Sequence, residues 1–120
     1  MLKDNLYTIT ESVHDENIIK ATIKLNRDHE IFCGHFPGQP VLPGVCMVQI
    51  IKEVLEGTLH FPLMLKKAAT IKFLKPVTPE DKTLQVTLAY NSPDKASYNV
   101  TADLISENDL CFKFRGIFAV

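Results

Sequence analysis

Residues 6–13 (LYTITESV) and 18–25 (IIKATIKL) are rich in β-branched and aromatic residues and partly alternate apolar with polar positions. The polar run His14-Asp15-Glu16-Asn17 stands between them, so the pattern predicts a β-hairpin. From Asn26 to Pro43 the periodicity is lost, because Gly34, Pro37, Gly38, Pro40 and Pro43 interrupt both helix and strand. Residues 44–56 (GVCMVQIIKEVLE) then predict one helix, with Val45, Val48, Ile51, Val54 and Leu55 recurring at helical spacing. On periodicity alone, Gln49, Lys52, Glu53 and Glu56 form its solvated stripe. Gly57-Thr58 is expected to end the helix. Four strands follow at about 64–75, 83–91, 95–105 and 110–119, divided by turns at Pro76, Pro79-Glu80-Asp81, Ser92-Pro93-Asp94 and Glu107-Asn108-Asp109.

Two strands, one helix and four strands lack the regular alternation of strand and helix that a parallel sheet requires. The expectation is an α+β domain in which an antiparallel sheet wraps one helix. Neither a repeat nor a linker divides the sequence, so residues 1–120 are expected to form one domain. A chain of 120 residues buries roughly 60–70% of its unfolded surface, enough for one modest core.

Composition narrows the partners. With 46% hydrophobic residues, 22% charged residues and a net charge of −1, the chain has no field strong enough to hold nucleic acid or an anionic membrane. Asp4 and Asn5 interrupt the place where a secretory signal needs its apolar stretch, and a cytosolic protein is expected. Cys33, Cys46 and Cys111 are three unpaired-looking thiols, and His14, His29 and His60 lack ligand-like spacing. Neither a disulfide framework nor a metal site is expected, and no cofactor is called for.

The informative stretch is Gly34-His35-Phe36-Pro37-Gly38-Gln39-Pro40-Val41-Leu42-Pro43-Gly44-Val45. Its prolines restrict the backbone and hold His35 in a loop that loses little further entropy on ordering. Pro43-Gly44 stands at the helix start, where the first N–H groups lack intrahelical partners and the helix dipole is positive. A neutral imidazole beside such amides suits removal of a proton α to a thioester carbonyl. His35 would take the proton, and the amides of Gly44 or Val45 would hold the enolate-like oxygen.

This segment, G-H-F-P-G-Q-P-V-L-P-G-V, resembles the signature of the 3-hydroxyacyl-acyl-carrier-protein dehydratases. The stretch Ile71-Lys72-Phe73-Leu74-Lys75-Pro76-Val77-Thr78-Pro79-Glu80-Asp81 is similar to that family's second motif, with Glu80 where glycine is usual. The resemblance implies a hot-dog fold, a homodimer or higher oligomer with sites between subunits, and dehydration of an acyl thioester. The substrate would arrive on the 4'-phosphopantetheine arm of an acyl carrier protein. Phe36, Pro43, Gly44 and Val45 would bind it beside the catalytic His35.

In that family a carboxylate stands fourteen residues after the histidine, and the corresponding residue here is Gln49. The family's helix commonly carries glutamate and then glutamine four residues later; here Gln49 and Glu53 are exchanged. Glutamine does not exchange protons as a carboxyl group does. Glu53 is therefore a candidate displaced acid, and Gln49 a site residue by resemblance. The alternatives are an impaired carrier-binding subunit that pairs with a partner supplying the acid, or a hot-dog thioesterase. Lys66, Lys67, Lys72 and Lys75 form a run without acidic residues, either a solvated strand face or a dock for an acidic carrier. The seven phenylalanines are expected in core or interface.

Overall fold

The computed structural model describes residues 2–32, 41–80 and 83–120. Strands β1 (Tyr7–Asp15) and β2 (Ile18–Leu25) form the expected antiparallel hairpin, which turns at Glu16 with φ of 54°. Helix α1 (Gly44–Leu59) follows, and then β3 (Met64–Phe73), β4 (Leu84–Asn91), β5 (Ser97–Ser106) and β6 (Asp109–Ala119). The six strands form one antiparallel sheet in the order β1-β2-β4-β5-β6-β3. This is the α+β, hot-dog arrangement of a sheet around one helix.

The core follows from the period of two along the central strands. Ile19, Ala21 and Ile23 of β2, Leu84, Val86 and Leu88 of β4, and Val100, Ala102 and Leu104 of β5 are buried while residues between them are more exposed. Phe112, Phe114 and Phe118 of β6 continue the same inner surface. Against it α1 sets Met47, Ile50, Ile51, Val54 and Leu55. Each such apolar side chain contributes about 1.5–3 kcal/mol on leaving water, which fixes the orientation of the helix and of the polar residues on its other side.

Two sequence expectations need adjustment. The helix does not stop at Gly57-Thr58; it continues to Leu59 and closes at His60, which takes the left-handed conformation and donates its N–H to the Glu56 carbonyl at 2.8 Å. The polar stripe is not a solvated face either. Glu53 is 3% exposed, and Glu56 accepts the Leu63 N–H at 2.8 Å while pairing with Lys52. The chain before β1 covers this side of the helix, a long-range contact that helical periodicity does not encode.

Strand β3 differs from its neighbours, since nearly every residue along it is exposed. Among the described residues it pairs only with β6, and Met64, Leu65, Ile71 and Phe73 remain 60%, 41%, 42% and 63% exposed. Gly116 of β6 makes this pairing possible: a Cβ there would stand 2.3 Å from the Lys67 carbonyl oxygen and 2.7 Å from the Phe114 ring. Among the described residues, no helix is long and apolar enough to cross a membrane.

Candidate active site

The segment entering α1 is anchored by the Leu42 N–H, which donates to the Val77 carbonyl at 2.7 Å. Leu42 is thereby tied to the stretch that carries the second motif. Pro43 takes the N-cap position with extended backbone (φ −63°, ψ 147°) and offers no side-chain cap. Its carbonyl accepts from the Cys46 and Met47 N–H groups at 3.0 and 3.3 Å. The Gly44 and Val45 N–H groups have no hydrogen-bond partner among the described residues. Val45 is 77% exposed, and a Cβ on Gly44 would come within 2.5 Å of the Phe73 ring. Glycine thus lets the Phe73 ring lie directly against the first turn, next to these two donors at the positive end of the helix dipole.

Gln49 and Glu53 lie further along α1, four residues apart and hence on one side of the helix. The Gln49 Nε2 donates to Glu53 Oε2 at 2.7 Å. The same oxygen accepts the Leu2 N–H at 2.9 Å, and Oε1 accepts the Lys3 N–H at 2.8 Å and the Tyr7 hydroxyl at 3.0 Å. Burial alone would raise the Glu53 pKa. The donors from Leu2, Gln49, Lys3 and Tyr7 outweigh it and hold the carboxyl below its usual value of 4.5, so the group is ionised at neutral pH. Tyr7 responds in the opposite direction: burial first, and then the adjacent Glu53 charge, push its pKa up and keep the hydroxyl a neutral donor.

His35 and Phe36, with residues 33–40 generally, lie outside the described residues, as does Asp81 of the second motif. Of the remaining sequence candidates, Pro43, Gly44 and Val45 share the helix start, and Gln49 and Glu53 form one hydrogen-bonded pair about one and two further turns along it. Sequence reading missed Tyr7 and the Leu2 and Lys3 amides, which lie some fifty residues before their common acceptor; local pattern carries no signal for them.

The other candidates are scattered. His14 Nε2 lies 3.0 Å from the Tyr90 hydroxyl, His29 Nδ1 accepts the Ile31 N–H at 3.0 Å, and His60 closes the helix. Cys46 and Cys111 are buried, the former with its pKa raised by burial and the latter with its Sγ 3.4 Å from the Asp109 carbonyl oxygen. Lys66, Lys67 and Lys72 lie along exposed β3, and Lys75 pairs with Asp109 at 2.5 Å.

Comparison with known proteins bears on the fold and the family. The family model described as ApeI-like, ApeI dehydratase, matches residues 11–113. A 3-hydroxyacyl-[acyl-carrier-protein] dehydratase FabZ of Wolbachia from Drosophila simulans is 34% identical over 73 residues, 52% of this chain and 49% of that protein. The FabZ of Caldicellulosiruptor saccharolyticus is 29% identical, with 96% of this chain and 88% of that protein covered. The chain therefore spans about half the length of the Wolbachia relative and most of the other.

Among solved structures, a chain of the dehydratase heterocomplex ApeI:P from Xenorhabdus doucetiae superimposes with a TM-score of 0.75 at 19% identity, covering 93% of this chain and 96% of that one. The thioesterase HI1161 of Haemophilus influenzae gives 0.65 at 20% identity, covering 96% and 78%. These likenesses place the chain in the hot-dog fold class. Within that class, the chain belongs to the ApeI-like dehydratase family.

Proposed function

We propose that this chain removes water from a 3-hydroxyacyl thioester presented on the 4'-phosphopantetheine arm of an acyl carrier protein. The observation that carries the reading is the start of α1 at Pro43-Gly44, with no side-chain cap and with two N–H groups that have no partner among the described residues, in a chain of the dehydratase family. Those amides accept the thioester oxygen as it gains negative charge. His35 takes the proton from C2, the C2–C3 double bond forms as the C3–O bond breaks, and the proton held on the imidazolium goes to the departing hydroxyl as water. Phe36, Pro43 and Val45 line the acyl approach in this scheme. Atoms and charge balance without a second titratable group from this chain.

Two copies would meet along β3, whose outer edge offers unpaired backbone groups beside exposed Met64, Leu65, Ile71 and Phe73. Light scattering at micromolar concentration is expected to report a dimer; a monomer with full activity would remove the interface from the scheme.

A second reading has its own support. Gln49 is an amide and the neighbouring Glu53 carboxylate is ionised and fully engaged, which favours an acid supplied by a different subunit. The Xenorhabdus protein of similar fold is described as a heterocomplex. The decisive experiment follows conjugated enoyl absorbance and free thiol together, using purified chain and a 3-hydroxyacyl carrier thioester. Enoyl formation by the chain alone supports the first reading, enoyl formation only with an added partner supports the second, and thiol release without the enoyl product would make the protein a thioesterase.

A further inference from the structure

The contacts of Glu53 determine the polarity of Gln49. Among the described residues, the four groups that meet the Glu53 carboxylate are all donors: the Leu2 and Lys3 amides, the Tyr7 hydroxyl and Gln49 Nε2. An ionised carboxylate only accepts, so the end of the Gln49 amide that lies 2.7 Å from it must be its NH2. The opposite end is then Oε1, which meets no hydrogen-bond donor among the described residues. Gln49 is half-buried, whereas Glu53 and Tyr7 are only 3% and 1% exposed, so the carboxylate and phenol form a fixed base beneath a more accessible amide.

We propose that Glu53 and Tyr7 are positioning residues that lock Gln49 with its carbonyl oxygen outward, as an acceptor for the hydroxyl at C3 of the acyl chain. This rests on the dehydratase reading above and deepens it. A locked acceptor selects its ligand by chemistry: a C3 hydroxyl donates to it, whereas a C3 carbonyl presents only lone pairs and leaves the amide oxygen unpaired. Gln49 then discriminates between oxidation states at C3. Accepting a hydrogen bond from the hydroxyl also leaves the hydroxyl lone pairs free to take up a proton as the group departs.

The lock can be read without any ligand. In 15N-labelled full-length chain, the Gln49 side-chain amide pair is identified by its loss in Gln49→Ala. Its resonances are expected to shift in Glu53→Gln and to follow the acid titration of Glu53. Recognition is measured by calorimetry in a His35→Ala background, which holds off chemistry, with 3-hydroxybutyryl-pantetheine and 3-oxobutyryl-pantetheine as probes. The hydroxy compound is expected to bind about tenfold tighter or more, the effect of one good hydrogen bond and one unpaired acceptor.

Adding Glu53→Gln, which lets the Gln49 amide turn over, is expected to bring the two affinities to within about threefold. Tyr7→Phe keeps the carboxylate and loosens its aim, so an intermediate ratio is expected and the test survives should Glu53→Gln fold poorly. Equal affinities in the reference protein, or Gln49 resonances indifferent to Glu53→Gln, would overturn the proposal while leaving the dehydratase reading standing. Failure of both probes to bind, with the amide signature present, would instead overturn the dehydratase reading and the recognition role together.

Discussion

Replacing Glu53 by glutamine tests whether the buried carboxylate is as structurally committed as its contacts imply. The two oxygens serve four donors, Oε2 facing Leu2 and Gln49, and Oε1 facing Lys3 and Tyr7. An amide sets an NH2 group where one oxygen stood. At the Oε2 position, Gln49 can turn over and accept, but the Leu2 N–H loses its 2.9 Å bond and keeps only the longer one to Oε1, at 3.2 Å. At the Oε1 position, the Tyr7 hydroxyl can reverse, but the Lys3 N–H is stranded. Either way one backbone bond is lost or reduced to the longer contact, and the remaining bonds change from charge-assisted to neutral, a loss of about 1 kcal/mol each. The smaller desolvation cost of an amide returns part of this. The net destabilisation comes to about 2–4 kcal/mol, a large share of the roughly 5–15 kcal/mol that holds a domain folded.

Urea denaturation at pH 7 provides the assay, with far-UV circular dichroism as the signal because the chain contains no tryptophan. With a slope of about 2 kcal/mol/M the midpoint should fall by about 1–2 M. Both proteins must be compared at one concentration, because association shifts apparent stability. A midpoint within about 0.2 M of the parent would refute the reasoning and mean that water serves these donors equally well.

The same carboxylate sets a pH dependence. Its folded pKa lies below the ordinary 4.5, so its contribution is fully present above that value and is lost as pH falls through the folded value. The stability gap between the parent and Glu53→Gln is therefore expected to narrow as urea midpoints are taken from pH 7 toward pH 3, and a gap that widens would reverse the assigned sign. Gly116→Ala should cost about 1–3 kcal/mol or more, because its Cβ would meet the Lys67 backbone oxygen at 2.3 Å and backbone cannot swing aside as a side chain can; a thermal midpoint equal to the parent's would contradict the close β3–β6 approach.

What the sequence disclosed was local. Alternation in IIKATIKL and helical spacing from Val45 to Leu55 located β2 and α1 because each pattern reflects burial against one side of its own element. The helix end was read a turn early, since Gly57 is a helix breaker by propensity but here sits exposed and is tolerated while His60 supplies the left-handed cap. Helical periodicity alone puts Glu53 in a solvated stripe, because its partners are amides and a phenol some fifty residues earlier in the sequence. The weak alternation in MLKKAATIKF has a physical counterpart in an edge strand with little buried on either side. Motif resemblance reached further, bringing Pro43 and Gly44 to notice where the structure has a helix start whose first amides have no partner among the described residues. The exchange of Gln49 and Glu53 was visible, but its meaning depended on which of them the N-terminal segment covers.

The central claim is that His35 performs the proton transfers of a dehydration. Its most direct test is turnover of a 3-hydroxyacyl carrier thioester by His35→Ala beside the parent chain, followed by enoyl absorbance, with urea midpoints measured on the same samples. The account predicts a rate lower by about 10²–10⁴, the usual contribution of a positioned acid or base, and an unchanged midpoint. Parental turnover by a folded His35→Ala would contradict it.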